Sequence, residues 1–401
     1  MGGLRLGRIF GVRVDADWSL LVAVWLVTIG LASGTFPAWH PEWGVGLRWA
    51  VALAAALLFF GSVLVHELSH ALVGRAQGLE TRTITLFMFG GVANIEREPT
   101  TPRAELLTAI VGPLTSIALG VLFTLIGSWL AGGPPHDPEA VMRGLGPAAT
   151  LLFWLGPINV VIGLFNLVPG FPLDGGRVLR ALLWRATGDL EAATRWAARA
   201  GQAFGLLLMF AGVAMIFGVR VPLFGVGLVS GLWMAFIGWF LAGAAAASYR
   251  QLLVESVLAG IPVRRLMRRD FVRVPPSLAL ARLVDEWLLQ TDQRAFPVVD
   301  AGRLVGIVCP EDVRKAPRQA WEVARVEEVM TPIAALATVS PGDEAAEAMR
   351  RLAKHDVEQL PVVERGQLVG LLRRRDIIRW LELQLPRRAS PPAREAPAAG
   401  R

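Results

Sequence analysis

Residues 57–75, LLFFGSVLVHELSHALVGR, place two histidines and a glutamate inside a run otherwise composed for hydrocarbon. Ionisable groups at membrane depth are costly, so a chain that keeps them there has a use for them. His66 and His70 are four residues apart and share one face of a helix, a spacing that lets both imidazoles reach one zinc ion. Glu67 lies beside them, where a carboxylate can take a proton from water on the metal. The bland alternative is a coincidental polar patch facing a helix bundle. It is disfavoured because unused His and Glu are hard to tolerate in apolar surroundings.

The rest of the chain fits that setting. Its 401 residues are 54% hydrophobic with a mean hydropathy of +0.49, which points to a polytopic α-helical membrane protein with a soluble part. Runs long enough to span occur at 18–35, 48–75, 105–131, 148–170, 203–219 and 222–247, several interrupted by Gly and Pro, notably Pro157 and Pro169. The start reads as a retained anchor rather than a cleaved signal. Ile9, Val12 and Val14 alternate like an edge strand, and Trp18 and Trp25 suit a membrane interface.

The net charge of +7 is nearly all arginine, the only lysines being Lys315 and Lys354. These arginines border apolar spans, so they read as membrane orientation, not nucleic-acid binding. One face carries thirteen (Arg5, Arg8, Arg13, Arg75, Arg82, Arg97, Arg103, Arg177, Arg180, Arg185, Arg195, Arg199 and Arg250), the other Arg48, Arg143 and Arg220. The expectation is a multi-pass protein of the cell membrane with both termini cytoplasmic. Cys309 is the only cysteine, which excludes a disulfide framework and a thiolate cluster. Any zinc must be held by His and carboxylate.

From about residue 260 the composition becomes soluble α/β and repeats. Arg265-Leu-Met267 answers Glu328-Val-Met330, Phe296-Pro-Val-Val-Asp300 answers Leu360-Pro-Val-Val-Glu364, and Gly302-Arg-Leu-Val-Gly-Ile307 answers Gly366-Gln-Leu-Val-Gly-Leu371. Two copies of one helix–strand–turn–strand–helix unit follow. The expected organisation is a membrane domain over 1–250, repeats over 260–320 and 324–385, and a disordered tail over 386–401.

A catalytic zinc needs a third protein ligand and an open position. The candidate is Asp174, in Asn166-Leu-Val-Pro-Gly-Phe-Pro-Leu-Asp-Gly-Gly-Arg177. Irregular backbone at membrane depth is tolerated where it is buried in protein or lines a wet cavity, so this segment can turn a carboxylate towards the histidines. Asp-Gly-Gly is also a common turn sequence, which leaves a polar helix end as the other reading.

HELSH in one span with Asn-x-x-Pro-x-x-Pro-Leu-Asp-Gly in a later one resembles the site-2 protease family of intramembrane zinc metalloproteases. The branch it is most similar to has six spans and a cytoplasmic pair of CBS domains, and the resemblance covers about 5–385. It implies one Zn2+ per chain on His66, His70 and Asp174, with Glu67 as general base and acid. Asn166 matches the family asparagine near the catalytic centre and would stabilise an oxyanion; from its bare sequence it could equally satisfy backbone freed by Pro169. The implied substrate is a membrane protein with an unwindable transmembrane segment. Residues 84–96, around Gly90-Gly91, read as a hairpin or two short strands whose edge could hold that segment, or as a structural hairpin. Gly112-Pro113, also similar to a family motif, reads on its own as a helix-packing kink.

The repeats resemble CBS domains, which implies an adenine nucleotide with Asp312 and Asp376 towards the ribose, and pairing of two chains as homodimers through these domains. Both copies keep the Asp but carry Cys309 and Arg373 where the hydroxyl is usual. Arg373, Arg374 and Arg375 could meet phosphate, though three arginines in a row are more often a solvated basic face. Two other function classes remain: a CBS-regulated transporter or channel, and a catalytically silent binding protein of the same fold. A transporter has no need of Glu67 between two histidines, and silence would not require every catalytic position to be filled.

Overall fold

The computed structural model describes residues 3–79, 81–88, 90–95, 99–132, 144–221, 225–291 and 293–384. The chain forms two compact units, Met1–Arg250 and Gln251–Arg401. The tail expected over 386–401 and Glu96 of the expected hairpin lie outside the described residues.

The first unit opens with β1 (Leu4–Ile9) and β2 (Val12–Ala16). The turn between them is two residues, Phe10 and Gly11, both at positive φ (49° and 80°), the geometry that matches hairpin twist. Asp17 then caps α1 (Trp18–Gly30), its carboxylate accepting the Ser19 N–H at 2.9 Å. The long helix α2 (Val45–Ala76) carries the histidines, and the hairpin β3 (Thr81–Phe87) and β4 (Gly90–Ile95) follows. Next come α3 (Pro102–Leu130), α4 (Pro147–Asn166), α5 (Asp174–Thr187), α6 (Leu190–Ile216) and α7 (Leu228–Leu258). The sheet order is β1-β2-β3-β4. Only the β2/β3 pair is parallel, because α1 and α2 intervene and return the chain to the same edge. The sheet lies on α2 through Val12, Ala16, Leu68, Ala71, Ile84 and Leu86.

Among the described residues six helices are long and apolar enough to cross a membrane: Trp18–Trp39, Val45–Ala76, Pro102–Leu130, Pro147–Asn166, Leu190–Ile216 and Leu228–Leu258. This is the polytopic α-helical architecture read from the sequence, with several shifted boundaries, the sixth span beginning at Leu228 and running to Leu258 rather than ending at 247. The fourth span ends at Asn166 and residues 167–173 leave the helix, as Pro169 and Pro172 require. The fifth begins at Leu190, well before residue 203, because its first turns are amphipathic and bury Ala193, Ala197 and Ala198. Hydrophobicity alone does not register that half of the helix. Helices α3 and α4 meet through glycines: a side chain at Gly120 would lie 2.7 Å from the Gly156 carbonyl oxygen, and one at Gly163 2.8 Å from that of Pro113.

The second unit is α/β. Strands β5 (Phe296–Asp300) and β6 (Arg303–Val308) come from the first copy. Helix α8 (Ala345–Lys354), β7 (Gln359–Glu364), β8 (Gln367–Arg373) and α9 (Arg374–Gln384) come from the second. The sheet order is β5-β6-β8-β7, with Thr331–Pro332 added to β6. The copies exchange their opening segments. Val263 and Leu266 of the first are buried with Leu360, Leu372 and Ile377 of the second, while Val326 of the second is buried with Phe296 and Val308. The exchange is visible in the methionines: Met267 lies against Gly370 and Met330 against Gly306, where an added Cβ would be 2.7 Å from each sulfur.

Candidate metal centre

His66 and His70 project from one face of α2, as their spacing dictates, and both are 5% exposed. Asp174 opens α5 at its first helical position. Its Oδ2 is 3.2 Å from His66 Nε2 and 3.1 Å from His70 Nε2, and the two Nε2 atoms are 3.1 Å apart. One ligand atom from each of the three residues lies within 4.8 Å of the other two.

The donor set fits a zinc ion. A tetrahedral zinc with bonds of about 2.0–2.1 Å holds its ligand atoms about 3.3 Å apart, close to the spacings here. The tautomers agree as well. His70 Nδ1 faces the Thr108 carbonyl at 2.6 Å. A carbonyl only accepts, so Nδ1 carries the proton and Nε2 turns its lone pair to the centre. His66 Nδ1 lies 2.9 Å from the Ser116 hydroxyl, which can accept from it and so permits the same tautomer. With both Nε2 atoms unprotonated, two imidazole lone pairs and a carboxylate oxygen at about 3 Å would favour a cation among them.

Local sequence explains how Asp174 arrives there. A Cβ at Gly175 would overlap the backbone of Leu167 and Val168, and one at Gly176 the backbone of Gly170 and Phe171. The Asp-Gly-Gly run is therefore not a loose turn. It removes two side chains so that residues 167–171 can fold back over the start of α5. Gly201 of α6 allows the same close approach from the other side, where a Cβ would fall on the Phe171 carbonyl.

Gly112 differs from its reading as a packing kink. A Cβ there would overlap His70 Nε2 and lie 2.7 Å from His66 Nε2, so its bare α-carbon leaves room for the centre itself. Gly91 of β4 does the same for Glu67, whose Cδ would be 2.9 Å from an added Cβ. Glu67 is half-buried beside the histidines. Asn166 ends α4, also half-buried, and makes no side-chain hydrogen bond among the described residues. Thr108 and Ser116 were not legible from the sequence as part of the site, since only the crossing of α3 over α2 brings them there.

In the soluble unit, the two aspartates expected to face a ribose are already engaged. Asp376 accepts from Arg373 Nε at 2.7 Å and Nη2 at 3.0 Å, with Arg268 Nε at 3.4 Å. Asp312 accepts from the Cys309 N–H at 3.0 Å and from Lys315 Nζ at 2.6 Å. Burial and this carboxylate push the Cys309 thiol up to about 12. Only part of the arginine run faces solvent: Arg375 is exposed, whereas Arg373 is 8% exposed and Arg374 donates to the Leu352 carbonyl at 3.3 Å. A cleft of about 220 Å³ beside Asp376 is lined by Arg265, Arg268, Arg379 and Trp380.

The sequence profile of peptidase family M50 matches residues 54–147 and 136–212, and that of the CBS domain matches 263–318 and 326–383. Rip3 of Mycobacterium tuberculosis, provisionally named a zinc metalloprotease, is 32% identical over 382 residues, covering 95% of this chain and 93% of the relative. A Synechocystis protein, sll0528, provisionally given the same kind of name, is 33% identical over 384 residues, covering 94% and 95%. This chain belongs to peptidase family M50, the site-2 protease family. It is a multi-pass membrane protein of that family with a CBS pair. The zinc metalloprotease MJ0392 of Methanocaldococcus jannaschii is 28% identical over 381 residues, covering 95% and 96%. The solved site-2 protease of that organism aligns at 27% identity and a TM-score of 0.41, covering 62% of this chain and 96% of its own.

Proposed function

We propose that this M50 member is an intramembrane zinc endopeptidase. It would cut membrane proteins within or near a transmembrane segment, with His66, His70 and Asp174 holding the metal. The observation that carries this reading is the convergence of three ligand atoms at 3.1–3.2 Å with Glu67 beside them. A bound zinc would supply Lewis acidity, polarising a scissile carbonyl and acidifying water. Glu67 would take the proton from that water and return it to the leaving amine. The Asn166 amide would donate to the oxygen on which charge develops.

Strand β4 ends the sheet, and its outer edge has no partner strand among the described residues. Pairing there would hold an unwound substrate segment beside Glu67, since Gly91 of the same strand lies so near the Glu67 side chain that a Cβ there would overlap it. Helical substrate cannot present its carbonyls until it unwinds, so selection would fall on segments with weak helical cohesion. The arginine distribution supports cytoplasmic termini, with the CBS pair as a regulatory or substrate-gating module in that compartment. Glu67→Gln is the test. The purified variant should keep about one zinc per chain and lose cleavage of a model membrane substrate, and continued cleavage would remove Glu67 from its role.

A further inference from the structure

Glu105 and Arg180 meet in the interior of the membrane unit, away from the three ligand atoms. Glu105, near the start of α3, is 0% exposed and Arg180, on α5, is 8% exposed. Arg180 Nε donates to Glu105 Oε1 at 2.6 Å, with Nη2 on the same oxygen. The guanidinium also lies over the Phe171 ring, 5.3 Å from its centroid. A buried ion pair is weak grounds for stability, because desolvation offsets most of its attraction. Its cost calls for another explanation, and its location gives one.

Along α3, Glu105, Thr108, Gly112 and Ser116 follow at intervals of three, four and four, which puts them on one face. Thr108 fixes the His70 ring, Ser116 fixes the His66 ring, and Gly112 clears the space between them. Glu105 continues that face to Arg180, which lies six residues after Asp174, about 9 Å along α5. Through Phe171, Arg180 also touches the segment that delivers Asp174. One face of α3 therefore registers all three ligands: the histidines by direct hydrogen bonds, and the aspartate through Glu105 and Arg180.

We infer that the Glu105–Arg180 pair is a positioning element that sets the depth and rotation of α5, and so places the Asp174 carboxylate against the two histidines. This rests on the zinc reading of the site. Neither residue touches the metal position, so each acts through Asp174.

The test uses full-length protein, zinc affinity from chelator competition, thermal unfolding and steady-state cleavage. Arg180→Lys keeps the charge but loses the Nε contact and the flat stacking over Phe171. The double variant Glu105→Leu/Arg180→Met replaces the pair with apolar groups of similar size, a change that commonly preserves or raises stability. Both should unfold near the wild-type temperature yet bind zinc about 10- to 100-fold more weakly, with kcat falling more than KM. Wild-type zinc affinity in either folded variant would overturn the inference. If the double variant fails to fold, Arg180→Lys alone decides by the same criterion. A wild-type protein that binds no zinc, or whose zinc affinity is unchanged by His70→Ala, would instead overturn the metal reading and the inference with it.

Discussion

No side chain fits between Gly112 and His70: a methyl group on the one would overlap the Nε2 of the other, and would stand 2.7 Å from His66 Nε2 as well. The helix that crosses α2 at this point thus contributes an absence as well as hydrogen bonds. Gly112→Ala should fold, since alanine is the better helix former by about 1 kcal/mol. It should nonetheless bind zinc at least tenfold more weakly, because the methyl group occupies ligand space. Chelator competition and thermal unfolding on the same sample would check this. Normal zinc affinity in a folded variant would mean that the histidines can swing clear of α3.

Asp174 and Asn166 separate binding from turnover. Asp174→Ala removes the only carboxylate in the candidate metal cluster, so zinc affinity should collapse together with cleavage. Asn166→Ala should leave zinc content unchanged and slow cleavage on the order of a hundredfold, as losing one oxyanion donor does elsewhere. Metal analysis beside single-turnover cleavage distinguishes the two. Full zinc occupancy after Asp174→Ala would assign the third ligand elsewhere.

The lone cysteine offers a pH test of the soluble unit. Burial, followed by the Asp312 side chain, pushes the Cys309 thiol up to about 12. The native chain should therefore alkylate with iodoacetamide at pH 8 more than tenfold slower than the urea-unfolded chain, whose thiol titrates near 8.5. A raised folded pKa stabilises only while both states keep the proton. This contribution is thus fully present below about pH 8, where the unfolded thiol is still protonated, and declines as pH rises towards 12. Asp312→Asn removes the neighbouring anion and should speed alkylation of the folded protein. Equal rates in native and unfolded protein would show the thiol to be unshielded.

The sequence carried the first part of the site because it is local. Four residues of helix put His66 and His70 on one face whatever surrounds them, and Glu67 came with them. Asp174 lies 104 residues beyond His70, and the broken backbone before it offered it as a ligand only beside the alternative of a polar turn, until the resemblance joined the two motifs. Gly112 was marked only as half of a Gly-Pro pair read as a packing kink, and Ser116 and the Thr108 carbonyl carry no local mark, since their use depends on how α3 crosses α2. Glu105 did leave a trace, as a carboxylate just inside an apolar run. Arg180 was misread: counted among interface charges, it is buried on Glu105, and the face it was assigned to keeps its excess without it. In the soluble unit the repeat was plain, but not the exchange of Met267 and Met330 between copies, because identical motifs do not reveal which copy they pack against.

Arg373 governs the last expectation. In the usual CBS arrangement a small hydroxyl residue at this position leaves the following aspartate open to a ribose. Here the position holds an arginine, 8% exposed, that donates to both oxygens of Asp376, at 2.7 and 3.0 Å. A nucleotide must break that pair and leave a buried guanidinium without its carboxylate, which costs at least about 1–3 kcal/mol and so weakens binding by roughly 5- to 150-fold. Calorimetry with the full-length protein should detect no AMP or ATP binding at micromolar concentrations. Arg373→Thr releases Asp376, supplies the missing hydroxyl and leaves Arg268 and Arg379 lining the cleft, so it should gain measurable nucleotide binding. Micromolar binding by the wild type would show that Arg373 moves aside readily. Continued silence in the Arg373→Thr variant would place the obstacle elsewhere in the cleft, and the CBS pair would then be a packing module at that position.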